Sequence, residues 1–145
     1  FTEQLLMGCI DTGLMAQNAL TAAESLALGG VLIGGLRNQP TEVTALLALP
    51  THVIPLFGLC LGHPDTPAET KPRLPVSLMF HENHYPVELD RAALAEYDAT
   101  MQHYYASRSS HAKQQNWSGQ IRAILGKESR PFMLAYLQGQ GFITR

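Results

Sequence analysis

The stretch from residue 3 to residue 28 constrains the fold more than any other part of the chain. It contains no proline, is dense in Ala, Leu and Met, and runs into Gly29-Gly30. These properties predict one long helix over 3–28, stopped by the glycine pair. Gln4, Asp11, Asn18 and Ser25 recur at heptad spacing. They form a narrow polar stripe and leave most of the circumference apolar or small. Such a helix is expected to be buried on several sides, at the centre of a fold or of a dimer interface. Asp11, Gln17, Asn18 and Glu24 are too polar a set for a lipid-spanning segment. The chain opens at Phe1-Thr2-Glu3-Gln4, already inside the helical pattern and without Met. A piece of a longer protein is therefore expected.

Beyond this helix the signals alternate. Val31-Leu32-Ile33, apolar and bracketed by Gly29-Gly30 and Gly34-Gly35, predicts a short buried strand. A helix with Pro40 in its first turn is predicted to run to about residue 49, before Pro50. Residues 52–61 read as a core strand in which Pro55 demands an edge position or a bulge. Pro64, Pro67, Pro72 and Pro75 punctuate a loop over 62–75. A short strand is predicted over 76–80 and irregular chain over 81–89. Asp90 caps a helix from 91 to about 106, with Ala93, Leu94, Tyr97, Met101 and Tyr104 near one face. A polar loop over 108–116 leads to a helix over 117–125. The last helix opens at Ser129-Arg130-Pro131 and ends near Gly139. Helices and strands mix without regular βα alternation, which favours the α+β class. Strands are few, so the sheet needs a partner from elsewhere.

Composition narrows the function classes. Hydrophobic residues make up 46% and charged residues 15%, as in a packed globular protein. A net charge of −2 gives no basis for a nucleic-acid surface or an anionic-membrane patch. Cys9 and Cys60 each lie in an apolar run and read as reduced core residues. Reduced thiols and the lack of a visible signal peptide suit the cytoplasm.

Four segments carry chemistry-bearing residues, each with a plainer alternative. In Gly29 to Asn38 the glycines permit close backbone approach to a planar ligand, or simply make a helix cap and a tight turn. Neither a Rossmann fingerprint nor a P-loop is present. In Lys71-Pro72-Arg73-Leu74-Pro75, alternate residues of an extended segment point the same way. Lys71 and Arg73 then converge on one anion, unless the loop is merely solvated. His81-Glu82-Asn83-His84 is short of ligands for a metal and reads better as hydrogen-bonded structure. The segment from Tyr104 to Lys113 carries Arg108 and Lys113 in a polar loop that suits a nucleotide phosphate or an ordinary surface. No nucleophile elbow is present.

Taken in order, these segments resemble one family. The run from Asp11 to Leu26, Ile33-Gly34-Gly35-Leu36-Arg37-Asn38, the run from Pro55 to Gly62, Lys71-Pro72-Arg73-Leu74-Pro75, His81-Glu82-Asn83 and Lys127-Glu128-Ser129-Arg130-Pro131-Phe132 are similar to the bacterial FMN-dependent, oxygen-insensitive NADPH nitroreductases and flavin reductases. The resemblance covers essentially the whole chain. It implies an α+β nitroreductase-like fold, an antiparallel-type sheet flanked by helices, here the C-terminal part (1–145) of a single domain without its N-terminal part. It further implies an intertwined homodimer with non-covalent FMN at the interface. NADPH would deliver a hydride to flavin N5 in a ping-pong cycle that reduces nitroaromatics, quinones or free flavin. By position, Leu32, Ile33, Gly34 and Gly35 match the backbone along the flavin ring. Lys71, Pro72 and Arg73 match the FMN phosphate region. Arg108, with Lys113 as a further candidate, matches the NADPH phosphate loop. Leu32 departs from the aromatic side chain of close relatives. The family's early His-Arg-Ser-x-Arg-type segment is lacking, so weak FMN binding by this piece alone is expected. A non-catalytic dimerising or nucleotide-binding module is the competing expectation.

Overall fold

In the computed structural model, residues 1–66, 69–108 and 112–144 are described. The chain divides into two compact units, Phe1–Pro67 with Arg130–Arg145, and Ala68–Ser129.

The first unit begins with α1, Thr2–Ser25. This helix ends before the glycine pair. The positive-φ position is Ala27 (φ 59°), with Leu28 N–H bonded to Ala23 O and Ala27 N–H to Glu24 O. That is a Schellman cap made without glycine. Gly29 and Gly30 instead enter β1, Gly29–Ile33, which pairs antiparallel with β2, Gly58–Gly62. A Cβ on Gly30 would sit 2.5 Å from Leu20 Cδ1 and 2.7 Å from Leu61 Cδ2. The missing side chain is what lets α1 press on the sheet. A 3-10 turn, Gly34–Asn38, leads to α2, Pro40–Leu46, which is shorter than predicted. Its Schellman cap centres on Ala48 (φ 50°). Pro55 lies before β2, not inside it, because a proline has no N–H for the ladder.

The expected multi-sided burial of α1 is not found in this chain. Only Ala16 and Ala23 are buried, while Leu6, Met7, Ile10, Leu14 and Met15 are exposed. A two-stranded sheet can cover only one side of a helix. Cys60 is likewise exposed and Cys9 half-buried; both are free thiols. Cys60 was expected in the core, but it lies on a strand whose neighbours Leu61 and Val31 are also exposed.

In the second unit the expected strand over 76–80 is a single helical turn, α3, Val76–Met79. Pro75 stands before it and Leu78 N–H bonds to Pro75 O. Proline suits a helix start, where an N–H has no partner to lose, and no neighbouring strand offers a ladder. Then come α4, Arg91–Ser107, and α5, Trp117–Leu125. Asp90 accepts from Ala93 N–H at 3.0 Å. The start of α5 has two acceptors: Asn116 for Gly119 N–H at 2.9 Å and Asp98 for Ser118 N–H at 2.8 Å. The core is the row Tyr97, Met101 and Tyr105 on α4, flanked by Leu74, Tyr104 and Trp117. Tyr105, not Tyr104, continues the buried row. Asp90→Ala should destabilise by about 1 kcal/mol, read as a lower thermal midpoint by circular dichroism; an unchanged midpoint would show that the cap is dispensable.

The first unit closes with α6, Met133–Gly139, starting later than predicted. Its cap uses Gly141 (φ 85°), where a Cβ would stand 2.6 Å from His52 Nε2. His52 N–H bonds to Gln140 O at 2.9 Å, and its ring lies between Phe1 and Phe142 at 4.6 and 5.6 Å. Among the described residues no helix is long and apolar enough to cross a membrane.

Candidate functional site

In the second unit the basic loop is pinned to α4. Tyr97 donates its hydroxyl to Pro72 O at 3.2 Å, and Leu74 packs on the Tyr97–Met101–Tyr105 row. Pro72 and Pro75 stiffen the chain between these anchors. Lys71 Nζ consequently lies 5.7 Å from the Tyr105 ring centroid. Lys113 Nζ approaches the same ring at 4.5 Å. Its backbone N–H bonds to Tyr105 O at 3.0 Å, and its ammonium donates to Gln120 Oε1 at 3.3 Å. Arg108 lies over the adjacent Tyr104 ring at 6.0 Å, and the two tyrosine rings are 5.3 Å apart. Arg108 Nε is 3.9 Å from Glu69 Oε2, too far for a hydrogen bond. That nitrogen is buried without a hydrogen-bond partner among the described residues, a costly state for a cation donor.

The structure therefore brings Lys71, Lys113 and Arg108 onto a pair of adjacent tyrosine rings tilted at 59°. Arg73 is exposed and has no side-chain partner among the described residues. Lys71 and Lys113 converge on the Tyr105 ring, a meeting that the sequence reading did not include. Ser109, Ser110 and His111 lie outside the described residues.

Tyr105 is the residue that the sequence reading passed over. It is 6% exposed. Burial pushes its pKa up, but a hydrogen bond with Gln120, a hydrogen bond and charge from Lys71, and the charge of Lys113 outweigh burial and leave it below the ordinary 10.0. A depressed acid pKa stabilises the fold fully above pH 10 and ceases to do so as pH falls through the lowered value. Its position four residues after Met101 on the apolar face of α4 was the available signal, and that signal says core, not site.

In the first unit, Leu32 and Ile33 end β1 with exposed side chains. Gly34 and Gly35 open the 3-10 turn, whose start no side chain caps. Neither glycine takes positive φ. Arg37 donates to Leu56 O, and Arg130 forks onto Asn38 Oδ1 at 2.8 and 3.1 Å. The two arginines thus hold the turn to the segment before β2 and to the approach of α6.

Two other places carry less. A cleft of about 690 Å³ between α2 and α6 is lined by Pro40, Thr44, Phe132 and Tyr136 among others. Its Thr44 and Tyr136 hydroxyls satisfy each other at 2.7 Å, and none of the residues expected to bind cofactor line it. His81 stacks edgewise on Tyr85 at 5.3 Å. Among the described residues no group of three or more His, Cys, Asp or Glu could hold a metal.

An α+β chain with a glycine turn after β1 and cations gathered on α4 is a member of the nitroreductase family: residues 71–145 match that family's C-terminal domain. The chain is 57% identical over 143 residues to the oxygen-insensitive NADPH nitroreductase of Salmonella typhimurium, covering 99% of this chain and 59% of that protein. Nitroreductase A from Vibrio parahaemolyticus superposes with a TM-score of 0.87 at 52% identity, over 97% of this chain and 57% of that one. The NADPH:FMN oxidoreductase from Vibrio harveyi, complexed with NAD+, gives 0.88 at 49% identity, over 100% and 59%. The expected nitroreductase-like fold is thereby borne out. The chain spans less than two thirds of the length of these relatives.

Proposed function

We propose that the whole protein carrying this chain is an FMN-dependent oxidoreductase that uses NADPH to reduce nitroaromatics, quinones or free flavin, with residues 1–145 the C-terminal part of its single domain. The observation that carries this reading is the cation cluster on α4, together with relatives whose names include NADPH nitroreductase and NADPH:FMN oxidoreductase. The residues suit a phosphorylated cofactor. Lys71 and Lys113 present two ammonium groups over one ring, and Arg108, 3.9 Å from Glu69, carries a buried donor that makes no hydrogen bond among the described residues.

Lys71, Pro72 and Arg73 would hold the FMN phosphate region. Leu32, Ile33, Gly34 and Gly35 would lay backbone along the ring, where an uncapped turn leaves N–H groups for a polar ring edge. Arg108 and Lys113 would take the NADPH phosphate. FMN, when bound, would supply the redox chemistry that links NADPH oxidation to reduction of the acceptor, by the expected hydride transfer through N5. The protein's part is to bind, orient and neutralise charge. The uncovered apolar face of α1 suits a second copy of the chain, and two free thiols suit the cytoplasm.

The test is the whole protein, purified and assayed for flavin absorbance and for NADPH oxidation with a nitroaromatic or free FMN. Arg108→Ala should raise the KM for NADPH by about tenfold, the loss of one charge-assisted contact, with FMN content retained. A colourless protein that takes up no added FMN would reject the reading, and an unchanged KM would remove Arg108 from it.

A further inference from the structure

We propose that Tyr105 is the positioning residue that holds both Lys71 and Lys113, the first towards the FMN phosphate and the second towards the NADPH phosphate. This rests on the functional reading above and adds a residue to it. The two lysines come from separate segments, one before α3 and one after α4. Free lysine chains lose much rotamer freedom when they are ordered. Here both are held by a single side chain that is itself fixed. Tyr105 belongs to the buried row with Tyr97 and Met101. Its ring faces Lys71 Nζ at 5.7 Å and Lys113 Nζ at 4.5 Å, within the range of cation–π attraction. Its carbonyl accepts the Lys113 N–H at 3.0 Å.

The hydroxyl and the ring act on different partners. Against the burial that raises the pKa of the hydroxyl, Gln120 and Lys71 both act on it and lower that value, and Gln120 in turn accepts from Lys113 at 3.3 Å and donates to Asn116 O at 3.0 Å. Asn116 is the cap of α5. The network therefore runs from α5 through Gln120 and Tyr105 to both cations. Lys113 is nearer the ring and has its own contact with Gln120, so it depends chiefly on the ring. Lys71 is farther from the ring, at 5.7 Å, and its charge acts on the hydroxyl, whose pKa it lowers. A purely structural tyrosine would show no such division, because its loss would weaken folding and both functions together.

The experiment compares Tyr105→Phe and Tyr105→Leu with Lys71→Ala and Lys113→Ala, all in the whole protein. FMN binding to apoprotein is read by flavin fluorescence, NADP+ binding by calorimetry, and KM and kcat for NADPH by steady-state assay. Tyr105→Phe is expected to weaken FMN by about tenfold while changing NADP+ little. Tyr105→Leu is expected to weaken both by about tenfold, the loss falling on KM more than on kcat. The ring is thus rescued by Phe and the hydroxyl is not. If the lysine variants weaken binding and both Tyr105 variants bind as the parent does, Tyr105 does not position them and only this proposal fails. If Lys71→Ala and Lys113→Ala leave FMN and NADP+ binding unchanged, the functional reading of the cluster fails as well. If Tyr105→Phe and Tyr105→Leu cut both ligands equally, the division between ring and hydroxyl is overturned.

Discussion

Whole protein carrying Lys71→Ala together with Arg73→Ala is expected to lose FMN affinity by about a hundredfold. Hydrogen bonds between charged partners contribute roughly 1.5–3 kcal/mol each, and two removed from one solvent-accessible phosphate region, taken at the low end of that range, correspond to about that factor. Flavin content after gel filtration and the dissociation constant from fluorescence quenching check the result. The substitution leaves the loop's anchors intact, because Tyr97 bonds to the Pro72 carbonyl and Leu74 packs on the core. A loss of flavin therefore cannot be assigned to a loose loop. Lys71→Ala alone has a second signature. Lys71 lowers the pKa of Tyr105, so its removal should move that phenol up towards 10.0, read by ultraviolet absorbance in an alkaline titration. Unchanged flavin content in the double variant would remove both residues from the cofactor site.

Met101→Ala is expected to destabilise the Ala68–Ser129 unit by about 2–5 kcal/mol, the cost of deleting a buried side chain and leaving a cavity. Met101 is 0% exposed and lies one turn from both Tyr97 and Tyr105. Trp117, the chain's single tryptophan, stacks edgewise on Tyr97 at 5.9 Å, so its fluorescence reports this core directly. The urea midpoint of that signal should fall. A shift worth less than about 0.5 kcal/mol, typical of a surface site, would show that the row is not the core of the unit. The same variant removes the support beneath the Tyr105 ring, so its effect on FMN and NADP+ should exceed that of a remote destabilising change.

Much of the fold was legible in local signals. Asp90 marked the start of α4 because a short polar side chain there satisfies an N–H that the helix cannot, whereas Asn116, read as the end of a loop, does the same for α5. The helix ends were less legible. Alanines at 27 and 48 took the left-handed position, at 27 in place of the glycine pair expected to stop α1, since two cap hydrogen bonds outweigh the cost of about 1–2 kcal/mol for a Cβ there. Residues 76–80, mostly apolar, were read as a short strand, yet Val76–Met79 form a turn of helix. Strand propensity expresses packing on a sheet, and no ladder is present at that place.

The site divides along the same line. The glycine turn and the cations at 71, 73, 108 and 113 were visible as residue types suited to a planar ligand and to phosphate. What drew Lys71 and Lys113 together was not visible. That pairing depends on which face of α4 turns inward, and a ring half in the core and half under two ammonium groups reads in sequence as an ordinary apolar position.

Sequence alone determined the main helices and their order, because capping, proline geometry and apolar periodicity act within a few residues. It also determined the family, through the order of short motifs along the chain. Only the tertiary structure decided which charges share a partner and which apolar faces stay uncovered. Those outcomes depend on contacts between residues far apart in the chain, such as Lys71 with Tyr105 and Arg130 with Asn38, and no local pattern encodes them.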